Sequence, residues 1–186
     1  MNTIVHTTQQ IYRQLINAAS RPGHVEIITE DVKNYTDFSN AALLTAMTLF
    51  DNEISFYSAD KTMRQELKVL TGGLPNKDYS SADFLVTKEA DLKAEYFKEV
   101  MTGVLISPEK SATLLIDIES IGKGQAYRLS GPGIKESTDI QLSFPSSWFA
   151  LRNEVCKEFP LGIDLILTDK ENNTMVIPRT TKVEVL

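Results

Sequence analysis

Apolar side chains recur at helical spacing over residues 8–19, where Ile11, Tyr12, Leu15, Ile16 and Ala19 share one face and Thr7 or Thr8 can cap. Pro22 cannot continue that helix and Gly23 accepts positive φ, so Ser20-Arg21-Pro22-Gly23 ends it. The alternation of His24 to Ile28 predicts a strand. A second helix runs from a Ser39 cap through Phe50, apolar nearly all round and therefore buried. Ile54 to Tyr57 follows as a short strand. Met63, Leu67 and Leu70 mark a third helix, stopped by Gly72-Gly73. Ala82 to Val86 reads as a strand and Leu92 to Met101 as a fourth helix.

Beyond Ser111 the pattern changes. Ala112 to Glu119 and Gln125 to Ser130 predict two strands joined as a hairpin through Gly122-Lys123-Gly124. A helix over 146–157 carries Trp148, Leu151 and Val155 on one face. Ile163 to Thr168 and Thr174 to Pro178 form a second hairpin over Asp169-Lys170-Glu171-Asn172-Asn173. Helices alternating with strands early and hairpins late predict a three-layer α/β domain with a mixed sheet. With no repeat or linker to divide it, the whole of 1–186 reads as one domain.

Composition narrows the function. The 186 residues hold 19 Lys plus Arg against 25 Asp plus Glu, a formal net charge of −6. Such a chain gains nothing from counterion release on a phosphate backbone, which argues against nucleic acid. Cys156 is the only cysteine, which excludes an intrachain disulfide and fits a reducing cytosol. The first ten residues, MNTIVHTTQQ, carry no secretory pattern, and Ala41 to Phe50 is too short to span a bilayer. The expectation is a cytoplasmic protein without membrane contact.

Candidate chemistry is sparse. His6 or His24 could pair with Cys156 as a nucleophile and base, although a helix cysteine and two unrelated histidines is the plainer reading. No HxH, HExxH or CxxC offers metal-ligand spacing. Asp117 and Glu119 would share a strand face, read as the solvated face opposite Ile116 and Ile118 rather than as a carboxylate pair at work. Gly122-Lys123-Gly124 fails as a phosphate loop, with Asp117 and Gly124 where Gly and Ser or Thr are needed. Ser130-Gly131-Pro132-Gly133 could expose backbone N–H groups to an anion, but Pro132 removes one donor and a tight turn accounts for it equally. Arg179-Thr180-Thr181 could clamp a phosphate or carboxylate, or serve an interface ion pair.

Several segments together carry a resemblance. They are Tyr12-Arg13-Gln14-Leu15 with Ser20-Arg21-Pro22-Gly23, and Leu44 through Phe50 with Asp51-Asn52-Glu53. Toward the C-terminus come Leu129-Ser130-Gly131-Pro132-Gly133-Ile134, the run from Phe159 to Leu167, and the run from Ile177 to Val185. In this order they resemble the PhnH family, the H subunit of the bacterial carbon–phosphorus lyase system, over about residues 11–185. Residues 61–110 match only loosely. The resemblance implies an α/β/α sandwich similar to the pyridoxal-phosphate-dependent transferase fold but without pyridoxal phosphate, usually a homodimer. It implies a subunit of a transferase complex, inactive alone, working with the G, I and L subunits and with J as a further partner. That machinery attaches ribose 5-triphosphate from ATP to a phosphonate and displaces adenine, so ATP and magnesium enter only at the level of the complex.

Within the recurring segments, Asp164 alternates against Ile163 and Leu165 and needs a partner, for which Arg179 and Arg21 are the candidates. A buried ion pair fixing the sheet is the plainer use. The alternative is a small-molecule enzyme that holds a phosphonate or nucleotide with Asp164, Arg179 and Arg21. The candidate ligand or interface residues are therefore Arg21, Gly131, Gly133, Asp164, Arg179 and Thr180. Trp148, Phe149 and Phe159 are candidates for core or subunit interface.

Overall fold

The computed structural model describes residues 2–186, and side chains from residue 4. In chain order the elements are α1 (Asn2–Ser20), β1 (Glu26–Ile27), α2 (Asn40–Leu49), β2 (Ser55–Tyr57), α3 (Lys61–Thr71) and β3 (Leu74–Pro75). Next come β4 (Phe84–Lys88), α4 (Glu95–Lys98), β5 (Thr102–Val104), β6 (Ser107–Ser111), β7 (Thr113–Asp117) and β8 (Ile121–Ser130). The chain closes with β9 (Thr138–Leu142), α5 (Ser146–Val155), β10 (Asp164–Thr168), β11 (Asn173–Ile177) and β12 (Lys182–Val185).

Seven strands form one mixed sheet in the order β1-β11-β10-β7-β4-β2-β3. From β10 to β3 neighbours run parallel, whereas β11 is antiparallel to both β10 and β1. Parallel central strands are covered on both faces, which is why Leu114-Leu115-Ile116 and Leu165-Ile166-Leu167 are unbroken apolar runs. Alternation divides them between two cores. Leu115 and Ile166 pack with Ile11, Leu15 and Ala18 of α1, with α2, and with Met63 and Leu67 of α3. Leu114, Ile116, Leu165 and Leu167 pack with Tyr96 and Phe97 of α4, with Phe149 of α5, and with Tyr127, Leu129, Ile140, Leu142 and Val183. The last five belong to a separate three-stranded sheet, β12-β8-β9, so the second covering layer is part helix and part sheet.

Several elements differ from the expectations. The first helix begins earlier than residue 8, and Thr8 donates back to the carbonyls of Ile4 at 3.1 Å and Val5 at 3.2 Å instead of capping. Its buried stripe is Ile11, Leu15 and Ala18, while Tyr12, Ile16 and Ala19 face outward. Leu70 of α3 is likewise exposed. The predicted strand from His24 shortens to two residues, and the fourth helix shrinks to the single turn of α4. The hairpin through Gly122-Lys123-Gly124 does not form. β7 stays in the main sheet, and both glycines lie inside β8, at φ +97° and +109°, within a register break opposite Leu142. A Cβ on Gly124 would stand 2.4 Å from the Leu142 carbonyl oxygen, so the bulge requires glycine there. The β10–β11 hairpin forms as expected. Trp148 stacks on Phe97 with centroids 5.5 Å apart, and Phe149 is fully buried, so both are core; Phe159 is exposed. No helix among the described residues is long and apolar enough to cross a membrane.

Candidate functional site

At the carboxyl ends of β4 and β7 lies a cleft of about 1030 Å³, the location where open α/β sheets commonly receive ligands. Its floor is organised by Asp117, the last residue of β7 and only 7 % exposed. Ser39 caps α2 by accepting from the Ala42 N–H at 3.0 Å, and its hydroxyl donates to Asp117 Oδ1 at 2.6 Å. The Ser39 N–H donates to Oδ2 at 2.8 Å, and Thr168 Oγ1 of β10 donates to Oδ1 at 2.8 Å. Burial pushes the Asp117 carboxyl above its ordinary range, and the donors from Ser39 and Thr168 oppose that rise. Asp117 is thus no solvated surface acid. It pins the start of α2 to two central strands.

The rim carries both signs of charge. Lys88 stands opposite Asp117 in the β4–β7 register, and its Nζ lies 3.7 Å from Asp37 and 5.1 Å from the Phe38 ring centroid. Glu89 is raised first by burial and then by the charge of Glu119, while the Glu119 N–H opposes the rise. Lys170 and Asn172, from the turn between β10 and β11, complete the wall. The cleft offers paired donors and acceptors to a polar solute. Asp117, its best-buried acid, spends its oxygens on the protein's own donors.

The second cluster sits at the opposite, amino-terminal end of β10. Asp164 Oδ1 accepts the Arg179 backbone N–H at 2.7 Å, and Arg179 Nε stands 3.2 Å from each carboxylate oxygen. Arg179 Nη2 also donates to Asp164, and Nη1 reaches across to the Pro108 carbonyl at 2.6 Å. This is the ion pair expected for Asp164, with Arg179 as the partner. Arg21 takes no part. Its guanidinium bonds Asn17 of α1, and it lines a shallow pocket with His24, Gly133 and Lys135.

Gly131, at φ +134°, lies so close to the loop after β11 that a Cβ would fall 2.8 Å from the Thr180 carbonyl oxygen. A Cβ on Gly133, at φ +83°, would fall 2.3 Å from the Ser20 carbonyl oxygen. The two glycines therefore dock the turn after β8 against neighbouring backbone. Thr180 lies within the turn closed by the Thr181 N–H to Pro178 carbonyl bond of 2.9 Å.

A residue the sequence reading passed over holds that turn. Arg152 of α5 is 1 % exposed, and its guanidinium donates to the carbonyls of Pro178 and Thr181. Burial pushes its pKa down, yet a guanidinium keeps its proton at any ordinary pH. The signal was an arginine three residues after buried Phe149 on the inner face of α5. Cys156 Sγ receives the Ile163 N–H at 3.4 Å, and His24 pairs with Glu26 at 3.1 Å, so each has its own local partner. Among the described residues no group of three or more His, Cys, Asp or Glu could hold a metal ion.

The family of bacterial phosphonate metabolism proteins called PhnH matches residues 1–184. A C-P lyase subunit protein, HtxG of Stutzerimonas stutzeri, is 30 % identical over 177 residues, covering 94 % of this chain and 85 % of that protein. The PhnH subunit of alpha-D-ribose 1-methylphosphonate 5-triphosphate synthase of Rhizobium meliloti (strain 1021) is 27 % identical over 188 residues, covering 97 % and 92 %. The run from Phe159 and the run from Ile177 meet at the Asp164–Arg179 pair, and Gly131 docks beside them. On this match over residues 1–184, the chain belongs to the PhnH family of bacterial phosphonate metabolism proteins.

Proposed function

We propose that this chain is a subunit of a carbon–phosphorus lyase system, required with the G, I and L subunits to form ribose 1-phosphonate 5-triphosphate from ATP and a phosphonate. The observation that carries this reading is the match over residues 1–184 to one family, with relatives named as subunits of such systems. The side chains agree with a structural or co-catalytic part. Asp117, Asp164 and Arg179 spend their hydrogen bonds on the protein itself, as do the two Nη groups of Arg152, whose Nε is unpaired. A free-standing enzyme built on Asp164, Arg179 and Arg21 is less well supported, because Arg21 bonds Asn17 instead of joining the pair.

In this reading the protein works in the cytoplasm as a homodimer that joins the G, I and L subunits, with J as a further partner. Its mixed sheet between two covering layers is taken as a reduced relative of the pyridoxal-phosphate-dependent transferase fold, without that cofactor. ATP and magnesium belong to the assembled complex. Native mass spectrometry of the chain, alone and co-expressed with candidate G, I and L subunits, tests the assignment. A homodimer that enters a larger assembly supports it. A species that ignores every sister subunit refutes it.

A further inference from the structure

Two turns meet beyond the carboxyl end of α1. One, Arg21-Pro22-Gly23, leads toward β1, and the other spans residues 131–137 between β8 and β9. They touch at their glycines. A Cβ on Gly133 would stand 2.3 Å from the Ser20 carbonyl oxygen and 2.9 Å from Pro22 Cδ, and one on Gly23 would stand 2.6 Å from Thr138 Cγ2. The seam is therefore fixed at two positions that admit no side chain. Beside it lies a pocket of about 360 Å³.

Arg21, His24 and Lys135 line this pocket together with Ser137 and Thr138, and no carboxylate does among the described residues. In a chain of formal net charge −6, that is a local reversal of sign. Arg21 and His24 follow the end of α1, where the helix dipole favours cations. The dipole does not account for Lys135, which arrives from the other turn. Counter-ions do not account for the cluster either. Among the described residues, neither Arg21 nor Lys135 has a carboxylate within ion-pair distance. Glu26, the acid beside His24, is spent on the pair with His24 Nε2 at 3.1 Å and on the bond from Asn17. Asn17 in turn accepts from Arg21 Nη2. These bonds hold Arg21 and His24 in place and leave Arg21 Nε and Nη1 unspent. Like charges drawn together raise the free energy of the site, and an anion placed between them lowers it.

We propose that this pocket binds a tetrahedral oxyanion, the phosphate or phosphonate head group of a small solute. Arg21 presents its planar fork to two oxygens, Lys135 closes the opposite side as a point charge, and the hydroxyls of Ser137 and Thr138 supply neutral donors. A volume of about 360 Å³ is at the low end of ligand sites, which suits a head group with a short organic remainder and not a whole nucleotide. The inference goes beyond the subunit reading and does not depend on it, because the isolated chain carries every residue named.

The test is isothermal titration calorimetry of the full chain with inorganic phosphate, methylphosphonate and AMP at low, fixed ionic strength. The variants are Arg21→Gln, Lys135→Ala and, as a control, Lys110→Ala on an exposed position of β6. Circular dichroism confirms folding, and Lys135→Ala on an exposed turn keeps the test decisive should Arg21→Gln fail to fold. The expected result is saturable binding of phosphate or methylphosphonate, weakened at least tenfold by Lys135→Ala and by Arg21→Gln and unchanged by Lys110→Ala. Either order of affinity between phosphate and methylphosphonate supports the site, and the order tells which head group it prefers. AMP binding at least tenfold tighter than both overturns the head-group assignment. No saturable binding up to about 10 mM, or binding that Lys135→Ala retains in full, overturns the site.

Discussion

Arg179 holds the Asp164 carboxylate of β10 with its backbone N–H and one edge of its guanidinium, and the Pro108 carbonyl of β6 with the other. One side chain therefore ties the main sheet to the β5–β6 arm, a two-stranded sheet of its own. The pair is 17 % and 26 % exposed, sheltered enough that removing one partner leaves a poorly solvated charge. Arg179→Ala is expected to lower stability by about 2–3 kcal/mol in urea unfolding. Arg179→Lys should recover only part of that, because an ammonium cannot span carboxylate and carbonyl with a planar fork. Full stability in Arg179→Ala would show that the pair contributes nothing to the fold.

Asp117 makes a separate prediction through pH. Its native carboxyl titrates above the ordinary value of 3.8, so between that value and the raised one the folded protein binds more protons than the unfolded chain. Its contribution to stability is therefore full below about pH 4 and declines as pH rises through the native value. Urea unfolding of wild type and Asp117→Asn from pH 4 to 8 checks the sign. The advantage of wild type should shrink as pH rises and then level off. Asp117→Ala, which strands the Ser39 and Thr168 donors, should cost about 2–4 kcal/mol.

Arg152→Met keeps much of the side-chain volume but withdraws the donors that satisfy Pro178 and Thr181. Stranding the Thr181 carbonyl, while the Pro178 carbonyl keeps only the Thr181 N–H, predicts a loss of about 1–2 kcal/mol, partly offset because the guanidinium no longer has to be desolvated. Hydrogen exchange should show the largest gain in residues 178–183, where Asn153 also bonds the Val183 carbonyl. Unchanged exchange there would remove Arg152 as the organiser of that turn.

What the chain discloses by pattern follows local physics. The apolar runs of β7 and β10, the Ser39 cap and the Gly72 stop are visible because each is set within a few residues. Asp164 with Arg179 was legible because a charge inside an apolar strand demands a partner. Asp117 was misread since alternation alone cannot reveal that Ser39, 78 residues away in sequence, covers it. The two glycines of β8 carry the same signal in a bulge as in a turn, and only pairing with β9 distinguishes them. The β5–β6 arm was invisible for the opposite reason: Leu105 and Ile106 contradict the residues that usually announce a turn.

In the proposed function this chain is needed by, but does not itself perform, the transfer of a ribosyl triphosphate to phosphonate. The most direct measurement is adenine release from ATP and methylphosphonate by purified G, I and L subunits, with and without this chain, and by this chain alone. The expected result is release from the complete set, a loss of at least tenfold when this chain is omitted, and none from the chain alone. Equal release without it, or turnover by the isolated chain, would rule out the proposed role.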